Sequence, residues 1–119
     1  MKLKFFELAR RTSFKSPSKF KLGCIITNKN RVISFGFNQM HKTHPKFPTH
    51  SNTIHAELHC LIGLPYEETK GSTCYVYREA FNGNLANSRP CPVCYTALKH
   101  AGVKEICYST REGYKSEKI

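Results

Sequence analysis

The sequence predicts an α/β protein of three layers, in which helices cover both faces of a mixed central sheet of four to five strands. Two β-branched runs joined by a short polar turn indicate an early hairpin. Segments typical of helices and strands then alternate along the second half, a pattern that favours a sheet with helices on its faces. The chain of 119 residues has the length of one domain, which we assign to residues 1–119.

The first half of the chain predicts a helix, a hairpin and a polar loop. Residues Leu3, Phe6 and Leu8 recur at near-helical spacing with cations between them, which indicates an amphipathic helix. Residues 22–27 and 31–37 are apolar and β-branched, and the turn NKN between them predicts that they pair. A polar stretch with two prolines and three histidines follows as a loop.

The second half predicts two helices, each followed by a strand. The segment SNTIHAELHCLIGL forms a helix that Ser51, Asn52 or Thr53 can cap. The run STCYVYR is the next strand, and a long loop with an Asn-Gly turn leads from it to a helix that opens near Cys91 and ends at Gly102. The run VKEICYS is the last predicted strand. The resulting order is αββαβαβ.

Positive charge is concentrated in the first half of the chain. Nineteen Lys and Arg residues oppose eight acids, giving a formal net charge of +11. Residues 1–50 hold eleven of those cations and a single acid, Glu7. Such a field attracts polyanions or phosphorylated small molecules, although a merely solubilising surface would also carry it.

The sequence predicts no membrane segment and no signal peptide. No apolar run approaches the ~20 residues of a membrane-spanning helix, and charges interrupt the apolar residues at the N-terminus. Six cysteines without a signal peptide favour a reduced, cytoplasmic protein that uses some of them as ligands.

Cys91 and Cys94 lie at a spacing that lets two thiolates bind one metal ion. His55 begins the preceding helix, and two strand-to-helix junctions of such a sheet meet at one edge, so we expect His55 to join them. One imidazole and two thiolates leave the fourth position of Zn²⁺ open to water, as in catalytic sites. Glu57, two residues beyond His55, is placed to take a proton from that water.

Alternative interpretations of these residues remain open. The cysteine pair alone could be half of a zinc knuckle or a thiol redox pair. His59, one turn after His55, could complete a closed and inert four-ligand site, or it could be a packed histidine. The other cysteines are expected to lie in the core, namely Cys24, Cys60, Cys74 and Cys107.

The segments HAE, from His55 to Glu57, and PCPVC, from Pro90 to Cys94, resemble the H-x-E…P-C-x-x-C signature of the zinc-dependent cytidine and deoxycytidylate deaminase superfamily. The resemblance implies a cytidine-deaminase-like fold and the hydrolytic removal of an exocyclic amine, at C4 of cytosine or C6 of adenine. It also implies that Glu57 transfers the protons, and that the N–H of Ala56 and the side chain of Asn38 hold the base. Asn38 could instead be a turn residue.

With a histidine as its non-cysteine ligand, the chain resembles one branch of the superfamily. That branch contains the deoxycytidylate deaminases, the tRNA adenosine deaminases and the single-stranded polynucleotide deaminases. SRPCPVC is more similar to the cytidine-type enzymes than to the EPCxxC of the tRNA enzymes. The chain stops soon after the last predicted strand, so we expect the final strand and helix of the polynucleotide enzymes to be reduced or missing. The charge favours a phosphorylated partner, either a nucleotide or single-stranded nucleic acid.

The loops that border the expected pocket supply the predicted substrate contacts. These residues are His41, Lys42, His44, Arg78, Ser88 and Arg89. Bases could stack on any exposed phenylalanine among the cations, although most of these rings could equally pack in the core; the candidates are Phe14, Phe20, Phe35, Phe37 and Phe47. A second set of cations is expected to matter for a polynucleotide only, namely Lys15, Lys19 and Lys21.

The sequence therefore leaves two classes of function. The first is a zinc hydrolase that deaminates cytosine, or as a variant adenine in tRNA or single strands. The second is a non-catalytic zinc module that binds nucleic acid through its basic half. Glu57 favours the enzyme, because a binding module has no use for it. Membrane partners are not expected, and a homo-oligomer is left open.

Overall fold

The computed structural model describes residues 1–40 and 53–119, in which a five-stranded sheet lies beside a two-stranded ladder. The helices are α1 (Leu3–Ser13), α2 (Ala56–Leu61), α3 (Tyr66–Thr69) and α4 (Pro92–His100). The strands of the large sheet are β1 (Leu22–Asn28), β2 (Arg31–Phe37), β5 (Thr73–Arg78), β6 (Glu105–Thr110) and β7 (Gly113–Lys118). The ladder consists of β3 (Gln39–Met40) and β4 (Thr53–Ile54).

Strand direction in the large sheet determines where the helices begin. The order is β2-β1-β5-β6-β7, with β5 and β6 parallel and the other neighbours antiparallel. Because β2 and β5 are both antiparallel to β1, they run in the same direction. The helices that follow them, α2 and α4, therefore begin at the same edge. The mixed α/β sheet predicted from the sequence is confirmed.

Alternating side chains divide the core into two layers, one on each face of the sheet. Cys24 and Ile26 of β1 face α2 and α4, whereas Ile25 between them faces α1. The layer toward α2 and α4 includes Cys60, Leu61, Cys74, Val76, Leu98, Val103 and Ile106. The layer toward α1 includes Phe5, Phe6, Ala9, Tyr75, Tyr77 and Cys107. The four cysteines expected in the core are buried there as free thiols.

Two glycines allow the helices to lie directly on the sheet. A methyl group added at Gly23 would come within 2.0 Å of the Ala9 carbonyl oxygen of α1, and one at Gly36 within 2.6 Å of the Ala56 carbonyl oxygen of α2. No real side chain tolerates such distances. Gly36 thus sets how closely α2 approaches the edge of the sheet.

Helix α1 forms where the sequence predicts it, but it buries a different stripe. Leu3 and Leu8, predicted to face the core, are exposed. The Phe6 ring stacks on Tyr114 with ring centres 3.9 Å apart and meets Tyr75 edge-on at 5.1 Å. These aromatic contacts are larger than a leucine could make. The buried side is formed by Phe5, Phe6, Ala9, Thr12 and Ser13.

The structure confirms the predicted hairpin and corrects two chain segments. Residues Lys29 and Asn30 adopt positive φ angles of 52° and 64° in the turn between β1 and β2, as a two-residue hairpin turn requires. Helix α2 begins after His55, because Thr53 belongs to β4, while the candidate caps at 51 and 52 lie outside the described residues. A final strand, β7, is present and pairs antiparallel with β6.

Across residues 1–40 and 53–119, the helices lack the length and apolar character needed to cross a membrane.

Candidate metal centre and active site

Three potential metal ligands converge where α2 and α4 begin. His55 is the N-cap residue of α2, and Cys91 is the N-cap residue of α4. Cys94 lies in the first turn of α4, which Pro92 opens without the loss of a helical hydrogen bond. The shared direction of β2 and β5 brings the two helix starts together, which was the basis of the prediction from the sequence.

The distances between the three ligand atoms suit a small tetrahedral ion. The Nδ1 atom of His55 lies 3.3 Å from the Sγ atom of Cys94 and 3.8 Å from that of Cys91. All three ligand atoms lie within 4.8 Å of one another. With Zn–S about 2.3 Å and Zn–N about 2.0–2.1 Å, a tetrahedral site places nitrogen and sulfur about 3.6 Å apart. The residues present therefore fit Zn²⁺.

The charges around the cysteines also favour a bound cation. Burial raises the pKa of Cys94, and the neighbouring carboxylate of Glu57 raises it further. A buried thiolate next to a carboxylate is unfavourable unless positive charge compensates for both. A divalent ion between His55 and the two sulfurs supplies that charge and favours the thiolate form.

The Glu57 carboxyl group is enclosed beside the three ligands. Its side chain is 3% exposed, it lines the adjoining cavity, and it is not one of the three clustered ligands. Burial raises the pKa of Glu57, and hydrogen bonds from its own backbone N–H and from the Cys94 thiol oppose that shift. A buried carboxyl group that opens into a cavity is placed to exchange protons with a ligand held there.

His59 does not complete a four-ligand site. Its Nδ1 atom accepts a hydrogen bond from the backbone N–H of Phe37 at 3.0 Å, and the Phe37 ring meets the imidazole edge-on. The amide Nε2 of Gln39 lies 3.3 Å from the same nitrogen. Within the part of the chain that the structure describes, the metal-binding cluster contains only His55, Cys91 and Cys94. The arrangement favours an open coordination position.

A cavity of about 530 Å³ opens beside the metal ligands, within the usual range of small-molecule sites. Its lining residues come from four parts of the chain: Ser18, Lys19, Phe20, Leu22, Asn38, Gln39, Ile54, His55, Ala56, Glu57, Arg89 and Cys91. Glu57 is the sole acid among them, and Lys19 and Arg89 supply positive charge at its edge. An anionic group on a ligand would be complementary to these two cations.

The family to which the chain belongs follows from the whole-chain pattern as well as from this site. The family model described as the cytidine and deoxycytidylate deaminase zinc-binding region matches residues 2–110. The chain belongs to the cytidine and deoxycytidylate deaminase family. The resemblance stated from the two sequence motifs is thereby confirmed, as is zinc as the metal of the family.

Two mammalian relatives share about a quarter of their aligned residues with this chain. The deoxycytidylate deaminase of Mus musculus is 25% identical and that of Homo sapiens 24%, each aligned over 87% of this chain. The chain spans about 60% of the length of these relatives. Among solved structures, the dCMP deaminase of cyanophage S-TIM5 in apo form superposes with a TM-score of 0.70 at 25% identity, covering 91% of this chain and 84% of that one.

A second solved structure supports the fold alone. The cytidine deaminase of Burkholderia pseudomallei has a TM-score of 0.70 at 17% identity, and the match covers 99% of this chain and 92% of that one. The three-layer deaminase fold predicted from the sequence is confirmed by both structural matches.

Asn38 lines the cavity of this deaminase-family chain and also braces its wall. Its Oδ1 accepts a hydrogen bond from the N–H of Leu22 at 2.9 Å, and its Nδ2 donates to the carbonyl oxygen of Phe20 at 2.6 Å. The hydroxyl of Ser16 donates to the Asn38 carbonyl at 2.7 Å. The side chain therefore positions the loop before β1, while its contact with a base stays a prediction. Ala56 is buried at the cavity wall.

The residues predicted before α4 have different surroundings. Arg89 lines the cavity and pairs with Glu117, with Nε 2.6 Å from the carboxylate. The Ser88 hydroxyl is buried instead, donating to the carbonyl oxygen of Val76 at 2.9 Å and lying 2.9 Å from the hydroxyl of Ser109. The Ser88 hydroxyl is thus committed to the sheet, and the predicted contact of Ser88 with substrate stays a prediction. Loop-to-strand contacts of this kind leave no local pattern in the sequence.

Arg78 and an unpredicted aromatic residue flank the cavity. The guanidinium carbon of Arg78 lies 5.5 Å from the ring centre of Phe20, whose own ring centre lies 6.0 Å from that of Phe81. Sequence reasoning missed Phe81. Phe81 directly precedes an Asn-Gly turn, where a large apolar side chain is expected to lie on the surface rather than in the core. This position was the sequence signal that could have identified it. The remaining predicted contacts, His41, Lys42 and His44, lie outside the described residues.

Proposed function

We propose that this chain is a zinc-dependent hydrolase that converts cytosine to uracil in a phosphorylated nucleotide substrate. One observation carries the proposal: the cluster of His55, Cys91 and Cys94, found among the described residues, adjoins a cavity that the buried carboxyl group of Glu57 also lines. The reaction adds water across the N3–C4 double bond of the cytosine ring and then expels the exocyclic amine. A C4–O bond forms, the C4–N bond breaks, and ammonia leaves without any change in oxidation state.

The three metal ligands and the carboxyl group have different roles in the proposed reaction. His55, Cys91 and Cys94 would hold Zn²⁺, which when bound lowers the pKa of a water so that attack on carbon proceeds near neutral pH. Glu57 accepts a proton from the attacking water and delivers it to N3 of the cytosine ring. The same carboxyl group then carries a second proton to the departing amine. Its position inside the cavity but outside the ligand cluster supports this role.

The cavity wall supports binding of a base and its attached sugar. Ala56 and Asn38 line the space next to Glu57, which agrees with their proposed contacts to the base. Ser18 lines the same space, and its hydroxyl oxygen is enclosed by protein rather than exposed to the cavity.

Positive charge at the cavity edge supports a phosphorylated substrate. Lys19 and Arg89 are lining residues, and Arg78 lies next to Phe20 at the rim. The names of the relatives point to a nucleoside monophosphate, since the mouse, human and cyanophage proteins are deoxycytidylate deaminases. We therefore propose deoxycytidylate as the simplest substrate. The charge of residues 1–50 also supports binding of a longer single strand.

Two alternatives make different use of the same residues. An adenosine deaminase would need a cavity that accepts a purine, and the cytosine-specific names of the relatives weigh against it. A non-catalytic zinc module gains nothing from Glu57, whose burial is unfavourable for a charged carboxylate. The six unpaired thiols support the proposed reducing, cytoplasmic setting. Homo-oligomerisation stays a prediction.

A substrate panel tests the proposal. The purified protein, loaded with one equivalent of zinc, would be incubated separately with deoxycytidylate, cytidylate, deoxycytidine, cytidine, adenylate and a cytosine-containing single strand. We expect uracil formation from the phosphorylated cytosine compounds and little from the nucleosides. The Glu57→Gln variant is the matched negative control. Failure to release ammonia from any cytosine compound, with zinc bound and the fold intact, would refute the proposed function.

Salt dependence separates the forms of substrate. Each phosphate contact in a single strand contributes about 0.7 to the log–log slope of affinity against salt. A strand held at several phosphates therefore shows a steep slope, a mononucleotide a shallow one and a nucleoside almost none. Efficient turnover of cytidine that does not respond to NaCl would contradict the requirement for phosphate.

A further inference from the structure

A patch of alternating aromatic and cationic side chains borders the mouth of the cavity. It consists of Phe20, Phe81, Lys19 and Arg78, and we call it the rim platform. The ring centres of Phe20 and Phe81 lie 6.0 Å apart. The Nζ atom of Lys19 lies 5.7 Å from the ring centre of Phe81, and the guanidinium carbon of Arg78 lies 5.5 Å from that of Phe20.

The rim platform is continuous with the cavity but extends beyond it. Lys19 and Phe20 line the cavity, whereas Phe81 and Arg78 are not among its lining residues within the described part of the chain. A ligand confined to the cavity would thus meet Phe20 alone. A ligand long enough to leave the cavity would pass over Phe81.

Hydrogen bonds hold the backbone in place at Phe20 and around Phe81. The Phe20 carbonyl oxygen accepts the 2.6 Å bond from Asn38. Phe81 lies at the tip of a turn closed by the hydrogen bond from the Ala80 N–H to the Asn84 carbonyl oxygen, at 2.8 Å, and by a β-bridge between Glu79 and Leu85. The backbone position of neither phenylalanine therefore depends on contact between the two rings.

The composition of the rim platform does not match ordinary packing. Phe20 is 56% exposed and Phe81 is 76% exposed, so both keep most of a ring in solvent at an apparent cost in free energy. Neither Lys19 nor Arg78 forms an ion pair with any acid in residues 1–40 and 53–119. The patch thus presents two largely exposed aromatic rings together with positive charge that no acid of the described residues neutralises.

We propose that the rim platform binds the nucleotide next to the target cytosine, so that the preferred substrate is a single-stranded oligonucleotide rather than a mononucleotide. The neighbouring base stacks on Phe81 and Phe20, and Lys19 and Arg78 neutralise the adjoining phosphates. Stacked bases on aromatic rings with interspersed cations are how proteins hold single strands. The inference rests on the proposed function, because it takes the cavity as the place of the target cytosine.

Two other occupants would bury the same rings. A second copy of the chain could pack on them, or they could serve only as an outer wall of the mononucleotide site. In the first case removal of Phe81 changes the oligomeric state. In the second it weakens mononucleotide and oligonucleotide binding equally.

Equilibrium binding to a catalytically disabled protein tests the proposal directly. Zinc-loaded Glu57→Gln protein would be titrated with a labelled pentanucleotide that has one central cytosine between thymidines. A second pentanucleotide carries abasic sites on both sides of the cytosine, which keeps the phosphates and removes the bases that stack. Deoxycytidylate is measured by competition. The same titrations are repeated after adding Phe81→Ala or Phe35→Ala.

Phe35 is a matched control because it is also exposed, at 51%, and carries a cation, with the Lys15 Nζ atom 4.7 Å from its ring centre. It does not line the cavity. Sedimentation velocity and thermal melts would confirm that each variant keeps the parent's oligomeric state and fold. Both rings are exposed, so their removal leaves no hole in the core.

We expect Phe81→Ala to weaken binding of the normal pentanucleotide about fivefold or more, while deoxycytidylate binding changes less than twofold. The abasic pentanucleotide should bind about as weakly as the normal one does to Phe81→Ala, and the two changes should not add, because they remove the same contact. Phe35→Ala should alter neither ligand. Equal losses for pentanucleotide and mononucleotide, a change in oligomeric state, or no difference between the two pentanucleotides would each overturn the proposal.

Measuring deamination by the wild-type protein distinguishes failure of this inference from failure of the proposed function. If the protein deaminates deoxycytidylate but Phe81→Ala does not affect pentanucleotide binding, the proposed function is supported and the rim-platform proposal is wrong. If Phe81→Ala weakens pentanucleotide binding but no cytosine compound is deaminated, the binding surface is supported and the proposed function is wrong.

Discussion

The Nδ1 atom of His59 lies 3.0 Å from the backbone nitrogen of Phe37, in a hydrogen bond that ties α2 to the end of β2. A histidine committed to this bond cannot also act through the same nitrogen as a metal ligand. The imidazole thus anchors the helix that carries His55 and Glu57. This contact and the position of His59 outside the three-ligand cluster of residues 1–40 and 53–119 together favour an open metal site.

Replacement of His59 by alanine should therefore affect stability rather than metal content. The Phe37 N–H would lose its acceptor, at a cost of about 1–3 kcal/mol in the free energy of unfolding. We expect the variant to retain one equivalent of zinc, measured by atomic absorption after dialysis. His100→Ala, at the exposed end of α4, is the control. Loss of stoichiometric zinc in His59→Ala, with zinc retained in His100→Ala, would instead support a four-ligand structural site.

Removal of zinc should lower stability, because its three ligands tie the start of α2 to the start of α4. With free zinc about 1,000-fold above its dissociation constant, the metal contributes about 4 kcal/mol to the free energy of unfolding. A chelator should thus lower the melting temperature, and added zinc should restore it. The double variant Cys91→Ala, Cys94→Ala should lose both metal and the chelator response.

Cys107→Ala is the matched control, since Cys107 is a buried thiol outside the metal cluster. It should keep one equivalent of zinc and the full response to chelator. Stoichiometric zinc in the double cysteine variant would contradict the ligand assignment.

The metal centre could be predicted from sequence because its parts are local. A Cys-x-x-Cys pair and a His-x-Glu segment each fix their own side chains on one helix start, and the direction of the strands brings the two starts together. Both features can be read from short stretches of chain. The predicted hairpin was likewise local, with its turn at residues 29 and 30.

The buried face of α1 could not be predicted in the same way. Leu3 and Leu8 fit a helical stripe as well as the phenylalanines do, and the choice depends on what the sheet offers. Tyr114 decides it by stacking on Phe6, yet it comes from the last strand of the sheet. Phe81 was missed for a related reason, because its proposed role depends on its position beside Phe20, which is distant in sequence.

Glu57→Gln should abolish turnover while leaving the metal in place. Glutamine has the shape of glutamate but cannot carry protons between water, ring nitrogen and leaving amine. We expect kcat to fall about 10²–10⁴-fold, with zinc content and melting temperature close to those of the wild type. Ammonia release from deoxycytidylate measures the loss. Glu67→Gln on the exposed surface of α3 is the control, and wild-type activity in Glu57→Gln would show that the mechanism is wrong.

Gly36→Ala should displace the helix that carries the site. The added methyl group would lie 2.6 Å from both the Ala56 carbonyl oxygen and the Cys60 nitrogen, so α2 must move away from the sheet. Overpacking of this kind typically costs about 1–3 kcal/mol. We expect a lower urea midpoint together with weaker zinc retention.

Val32→Ala is the control for Gly36→Ala, because Val32 lies on the same strand with its side chain exposed. Val32→Ala should leave the zinc content unchanged and alter the urea midpoint only slightly. A Gly36→Ala protein as stable as the wild type, with unchanged zinc affinity, would mean that α2 does not depend on this close approach.

Ser88 and Arg89 are neighbours in the chain, and the structure predicts opposite consequences for their removal. Ser88→Ala deletes the hydroxyl that accepts a 2.9 Å hydrogen bond from the Ser109 N–H and donates to the Val76 carbonyl. We expect a loss of about 1–3 kcal/mol in the free energy of unfolding, with KM for deoxycytidylate unchanged. Arg89→Ala removes a cation from the cavity edge and should raise KM. It should change stability little, because its ion pair with Glu117 is solvent-exposed.

Urea unfolding and steady-state kinetics on the same protein preparations measure both effects, with exposed Ser116→Ala as the control. The two quantities separate a substrate contact from a contact within the sheet, because the first changes KM and the second changes the free energy of unfolding. A Ser88→Ala protein with wild-type stability and a raised KM would return Ser88 to the substrate site. A change in stability alone would instead place its hydroxyl among the contacts that hold the loop before α4 against β5 and β6, and so keep Cys91 in position.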